Sequence, residues 1–139
     1  MFKTNVGGID RVLRIIVGLA FIPHVAFKLG DMAGSTAFFA KVGLQPAAAM
    51  VWLAIAMESV AAISLVFVVL PKWTGILAAA VMATATFAVL QIKGAVWLWN
   101  FGGVEYNVIW MTLCALVSVY AWREEKVKYG RNFLLFARS

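Results

Sequence analysis

Four long apolar stretches, separated by short polar breaks, organise the chain. They cover roughly residues 12–29, 47–70, 73–92 and 104–122. Each is close to the length of about 20 residues that a helix needs to cross the hydrocarbon core of a bilayer. The runs are apolar nearly all round, as helices surrounded by lipid and by one another must be. The pattern predicts an all-α fold: a polytopic membrane protein over 1–139, folded as one four-transmembrane-helix bundle. The polar breaks complete the layout. Met1–Arg14 reads as a short amphipathic lead, with Asp10 as a cap ahead of Arg11 and Arg14. Gly30–Pro46 reads as a mixed connection carrying Phe38 and Phe39, Pro71–Lys72 as a tight turn, and Lys93–Gly103 as a loop. Residues 123–139 read as a basic tail.

Composition agrees with this layout. Of the 139 residues 64% are hydrophobic and 13% charged, against about 45–50% and about 25% in soluble domains. A disordered chain, a disulfide scaffold and a soluble multidomain enzyme are thereby excluded. Cys114 is the only cysteine, which leaves no internal disulfide, no CxxC pair and no cysteine-built metal cage. Within its apolar run it reads as a small buried hydrophobe. The first run continues to Pro23 without a small-x-small cleavage site, so no cleavable signal peptide is expected.

The net charge is +6, and its distribution is more informative than its size. On one side of the predicted bundle lie Lys3, Arg11, Arg14, Lys72, Arg123, Lys126, Lys128, Arg131 and Arg138. The other side holds only Lys28, Lys41 and Lys93. This asymmetry predicts both termini in the cytoplasm. Cations beside apolar spans meet anionic lipid, so nucleic acid is not the expected partner. All six tryptophans read as membrane anchors: Trp52, Trp97 and Trp99 fall near the outer boundary, Trp73 and Trp122 near the inner one. Gly75, Ala79 and Ala83 recur every four residues along the third run. Such a small-residue stripe predicts close helix packing or an oligomer contact.

A few polar residues interrupt the apolar runs. Glu58 lies inside the second run with no charge within ten residues on either side. An ionisable group at that depth is costly, so it should face the bundle and find a partner. His24 and Lys28, four residues apart, share one helix face. His24 stands about six residues from the outer end and Glu58 about ten, within about two turns of each other in depth. Glu105, Tyr106 and Asn107 open the fourth run on the same side, after Gly102 and Gly103. An outer polar cluster of His24, Lys28, Glu58, Glu105 and Tyr106 is therefore expected, with no metal site. Lys28 also reads as a snorkelling cation and Glu105 as a helix-dipole partner.

Those residues resemble a known family. The string His24-Val25-Ala26-Phe27-Lys28-Leu29, the loop Val42-Gly43-Leu44-Gln45-Pro46, the mid-span Glu58 and Gly102-Gly103-Val104-Glu105-Tyr106 are similar, in order, to elements of the DoxX family. The resemblance runs from about residue 11 to 122. Two positions depart from it: Gln91 and Lys93 stand where a His is often found, and Val25 where Gly is common. The opening Asn5-Val6-Gly7-Gly8-Ile9-Asp10-Arg11 looks instead like that of another small bacterial inner-membrane family.

The DoxX resemblance implies membership of a quinone-linked membrane redox system in the bacterial inner membrane. The expected role is an accessory integral subunit that packs against lipid, partner helices or further copies of itself. It would carry no intrinsic cofactor, and a quinone is the implied ligand. Two alternatives stand beside this reading. One is a quinone oxidoreductase module whose Glu/His/Lys cluster transfers protons. The other is a small transporter or proton pathway. Catalysis on soluble substrates is not expected, since no Ser/His/Asp, paired-carboxylate or phosphate-loop constellation is present.

Overall fold

The fold was analysed in a computed structural model that describes residues 7–135. Among these residues the secondary structure is entirely helical: α1 (Gly7–Leu19), α2 (Phe21–Gly30), α3 (Met32–Val42), α4 (Ala47–Phe67), α5 (Pro71–Lys93), a single 3-10 turn (Trp99–Phe101) and α6 (Glu105–Tyr129). Three segments are long and apolar enough to cross a membrane: Gly8–Gly30, Ala47–Phe67 and Pro71–Lys93. Lys3 and Arg138 lie outside the described residues.

The first predicted run is two helices rather than one. Pro23 has no N–H to donate to the Leu19 carbonyl, and its ring crowds that carbonyl, so the helix breaks at Ala20. In the first turn of α2 a missing N–H costs little. The expected Gly30–Pro46 connection is corrected more strongly, because most of it is α3. Asp31 caps this helix, its Oδ1 accepting from the Gly34 N–H at 2.9 Å. Gly43, at φ 88°, ends it in the left-handed region. The glycines that read as loop residues are thus parts of a short helix and its stops.

Two further boundaries move. The second run ends at Phe67, and the reversal occupies Val68–Leu70, with Val68 and Leu70 in the left-handed region. Pro71 is then the first residue of α5 rather than part of a turn. Helix α6 continues through the start of the expected tail to Tyr129, where Gly130 stops it.

Helix α5 packs most extensively on α6, while α4 touches α1, α2, α3 and α5. The shared core includes Phe21, Leu65, Ala78, Trp110, Cys114 and Val117. Gly75 lets α5 approach α6 closely: a Cβ there would lie 2.9 Å from the Cys114 carbonyl and from Ser118. Ala79 packs partly buried against this core, whereas Ala83 is exposed. Many large apolar side chains face outward, among them Ile9, Ile22, Val60, Ile63, Phe67 and Ile109. An outward apolar surface of this extent is what a bilayer requires.

Candidate functional site

The two ends of the bundle differ. At the end that holds the start of α1 and the end of α6, Arg14 is buried and donates from Nη1 to the Leu65 carbonyl and, at 3.4 Å, to that of Val66. These carbonyls belong to the last turn of α4, where helical partners run out and a cation is favoured. Arg14 therefore does more than report topology. Close by, Lys72 contacts both Glu125 oxygens at 2.8 and 2.9 Å and donates to the Phe133 carbonyl. Trp73 Nε1 donates to the Leu134 carbonyl at 2.7 Å, and Trp73 packs edge-on against Trp122 at 5.3 Å. The segment after α6 is thereby strapped across the start of α5. Hydrogen bonding to Lys72 is the main reason the Glu125 carboxyl lies below its ordinary range.

The opposite end is open. Lys28 Nζ contacts the two Glu58 oxygens at 2.8 and 2.9 Å, the side chains 14% and 8% exposed. Its remaining donor reaches only the His24 carbonyl, at 3.5 Å. The pair borders a cavity of about 500 Å³ lined by α2, α3, α4, α5 and, through Asn107, the start of α6. Phe27, Phe38, Phe39, Leu53 and Met57 supply apolar wall, and His24, Asp31, Ser35, Thr84 and Asn107 add polar groups. Gly34, Ser35, Phe38 and Phe39 of α3 line it, so the segment read as a connection forms one of its walls.

Of the expected cluster, His24, Lys28 and Glu58 border the cavity together. Tyr106 stands behind His24, its Oη 3.4 Å from His24 Nε2 and the rings stacked at 6.3 Å. Glu105 does not line the cavity. It receives the Trp99 N–H at 3.4 Å, while its own N–H bonds to the Trp97 carbonyl. The neighbouring Gly103 has a backbone reason to be glycine, since a Cβ there would lie 2.4 Å from the Trp97 carbonyl oxygen.

Trp52, Trp97 and Trp99 are exposed at the cavity end. Trp110, expected to be an anchor, is buried instead and packs against Phe21, His24 and Tyr106 at about 5 Å. It fixes the sole histidine from behind. Ser35 and Trp110 are site residues that the sequence did not reveal, and Asn107, on the expected side, joins the lining from outside the expected cluster. Asp31 and Gly43, twelve residues apart, were the available signal for α3 and hence for Ser35.

The DoxX family model matches residues 9–91, well over half of the chain. The chain belongs to the DoxX family. Three members of the expected polar cluster, His24, Lys28 and Glu58, fall inside the matched residues, as does all of α3. Asn107, Tyr106 and Trp110 lie beyond them. No curated protein and no solved structure matches the chain. The protein is a membrane protein of this family, with apolar helices suited to a bilayer.

Proposed function

We propose that this DoxX protein is an accessory integral subunit of a bacterial quinone-linked membrane redox complex and holds a quinone headgroup in the cavity beside α3. The observation that carries the reading is a Lys28–Glu58 pair on the border of an otherwise largely apolar cavity of about 500 Å³. That volume falls in the range of small-ligand sites, about 300–1,000 Å³, which pair apolar walls with a few placed polar groups. A quinone ring needs apolar walls and donors for its carbonyl oxygens. Lys28 Nζ and the Asn107 amide are donors of that kind. A bound quinone supplies two-electron, two-proton redox capacity, with electrons delivered by a partner subunit. The chain orients the headgroup, excludes bulk water and keeps a titratable pair within hydrogen-bond reach.

In this proposal α6 is the fourth span, from Glu105 to about Trp122. The terminal end, with Arg11, Arg14, Lys72, Arg123, Lys126, Lys128 and Arg131, faces the cytoplasm of a bacterial inner membrane. The cavity then opens in the outer half. The test is a pull-down of tagged protein from native membranes with a spectrum of the eluate, together with quinone binding in nanodiscs. Co-purifying flavin or haem absorbance and saturable binding of a decyl-substituted benzoquinone are expected. Protein recovered alone, without quinone binding, overturns the reading.

A second reading is supported by the contact of His24 Nε2 with Tyr106 Oη. Tyr106 is 48% exposed, so titratable groups run from the cavity towards the surface. A quinone oxidoreductase module would use them, with Glu58, for proton transfer; a proton pathway would use them without a quinone. Unchanged quinone-dependent turnover in Glu58→Gln removes the first version. Liposomes without proton flux remove the second.

A further inference from the structure

Beside the cavity is a buried hydroxyl that no described residue satisfies. Ser35, on α3, is 6% exposed, and its Oγ has no hydrogen-bond partner. Helical hydroxyls elsewhere in this protein escape that cost locally. Thr36, Thr74, Thr84, Thr86 and Thr112 each donate to the carbonyl four residues earlier. Ser35 makes no such bond and lines the cavity. A buried polar atom left unpaired is destabilising, unless whatever fills the cavity pairs with it.

The charges on the lining restrict what that is. The charged side chains are Lys28, Glu58 and Asp31. The Lys28 ammonium is held by both Glu58 oxygens, and Asp31 Oδ1 takes the Gly34 N–H. His24, the remaining titratable group, meets Tyr106 Oη through Nε2. Among the described residues that line the cavity no unpaired lysine or arginine remains for an anionic headgroup, and the Asp31 carboxylate repels one. An uncharged headgroup meets neither penalty.

We infer that the cavity takes an uncharged amphipathic molecule with at least two hydrogen-bonding oxygens on its headgroup, and that Ser35 Oγ, turned about χ1 to face it, donates to one of them. Lys28, on a different helix, serves the other. The inference rests on the quinone reading and adds to it a ligand-contacting residue on α3 and the exclusion of anionic amphiphiles.

The test uses the full chain in phosphatidylcholine nanodiscs, decyl-substituted benzoquinone as probe, oleate as anionic competitor and Ser35→Ala as variant. Alanine favours a helix at least as well as serine, so the variant keeps α3. Loss of one neutral hydrogen bond corresponds to weaker quinone binding by up to about tenfold. The same substitution removes an unpaired hydroxyl, so the Tm of ligand-free protein rises. Opposite signs in affinity and Tm, with no displacement by oleate, are the expected result. Unchanged affinity in Ser35→Ala, a parallel fall in affinity and Tm, or displacement by oleate overturns this inference alone. Absence of quinone binding in the unmodified protein overturns the quinone reading together with it.

Discussion

Lys28–Glu58 and Lys72–Glu125 are almost the same ion pair, each a lysine reaching two carboxylate oxygens at 2.8 and 2.9 Å. Their surroundings differ. The third donor of Lys72 goes to the Phe133 carbonyl, Ser118 Oγ donates to the Lys72 carbonyl, and the Trp122 ring lies 4.8 Å from Nζ. Lys28 has only a long contact to its own helix and a cavity beside it. A lysine ammonium has three donors. Where all three are taken the pair serves as a clasp, and where one is nearly free it can serve a ligand. Geometry of the pair alone does not separate the two; the use of the third donor does.

The largest expected effect comes from cutting the clasp. Lys72→Met leaves Glu125 and the Phe133 carbonyl without their cation and should destabilise the protein by about 3 kcal/mol. Thermal melts in detergent and proteolysis of the strap both report it. A variant as stable as the parent, with an uncut strap, would show the pair to be ornamental.

Next is the close approach of α5 to α6 at Gly75. Gly75→Ala puts a Cβ 2.9 Å from the backbone of α6 and should cost about 1–3 kcal/mol through overpacking. No change in Tm would mean that α5 and α6 separate easily. Smaller again, Lys28→Met with Glu58→Leu should stay within about 1 kcal/mol of the parent, since apolar replacement of both members of a buried pair is often neutral. Quinone binding should nevertheless fall at least about tenfold. A stability loss equal to that of Lys72→Met would make both pairs clasps.

The mildest test is acidification. Contact with Lys72 holds the Glu125 carboxyl below its ordinary value of 4.5. Its contribution is therefore complete above that value and disappears as the pH falls through the lowered one. Strap proteolysis should rise only in that acidic window, and Glu125→Gln should abolish the dependence. A strap released at neutral pH would contradict the assignment.

Much of this contrast was legible in the apolar pattern, for a physical reason. Hydropathy outlined α4 and α5 to within a few residues, because a helix in lipid has little choice of surface. Counting residues inward from the predicted ends placed His24 and Glu58 within about two turns in depth, and Lys28 shares a helix face with His24. The partners of Lys72 and Arg14 were not legible, because Glu125 and the Leu65 carbonyl lie 53 and 51 residues away in the chain. No local periodicity encodes a contact of that range. Helix α3 was missed for the opposite reason: its cap and stop were present locally, but three glycines and mixed polarity resembled a loop. Trp110 was missed because an aromatic at an interface and one in a core look alike until the opposing helix is known.

Both internal cations of the first apolar segment, Arg14 and Lys28, find their partners on α4, at the Leu65 carbonyl and at Glu58. During synthesis the first segment is made before α4 exists, and throughout that interval it carries two cations without their eventual acceptors. Its settled position in the bilayer therefore depends on a helix that emerges later. The first two apolar segments form one unit of assembly, pinned at two points on either side of the break at Ala20.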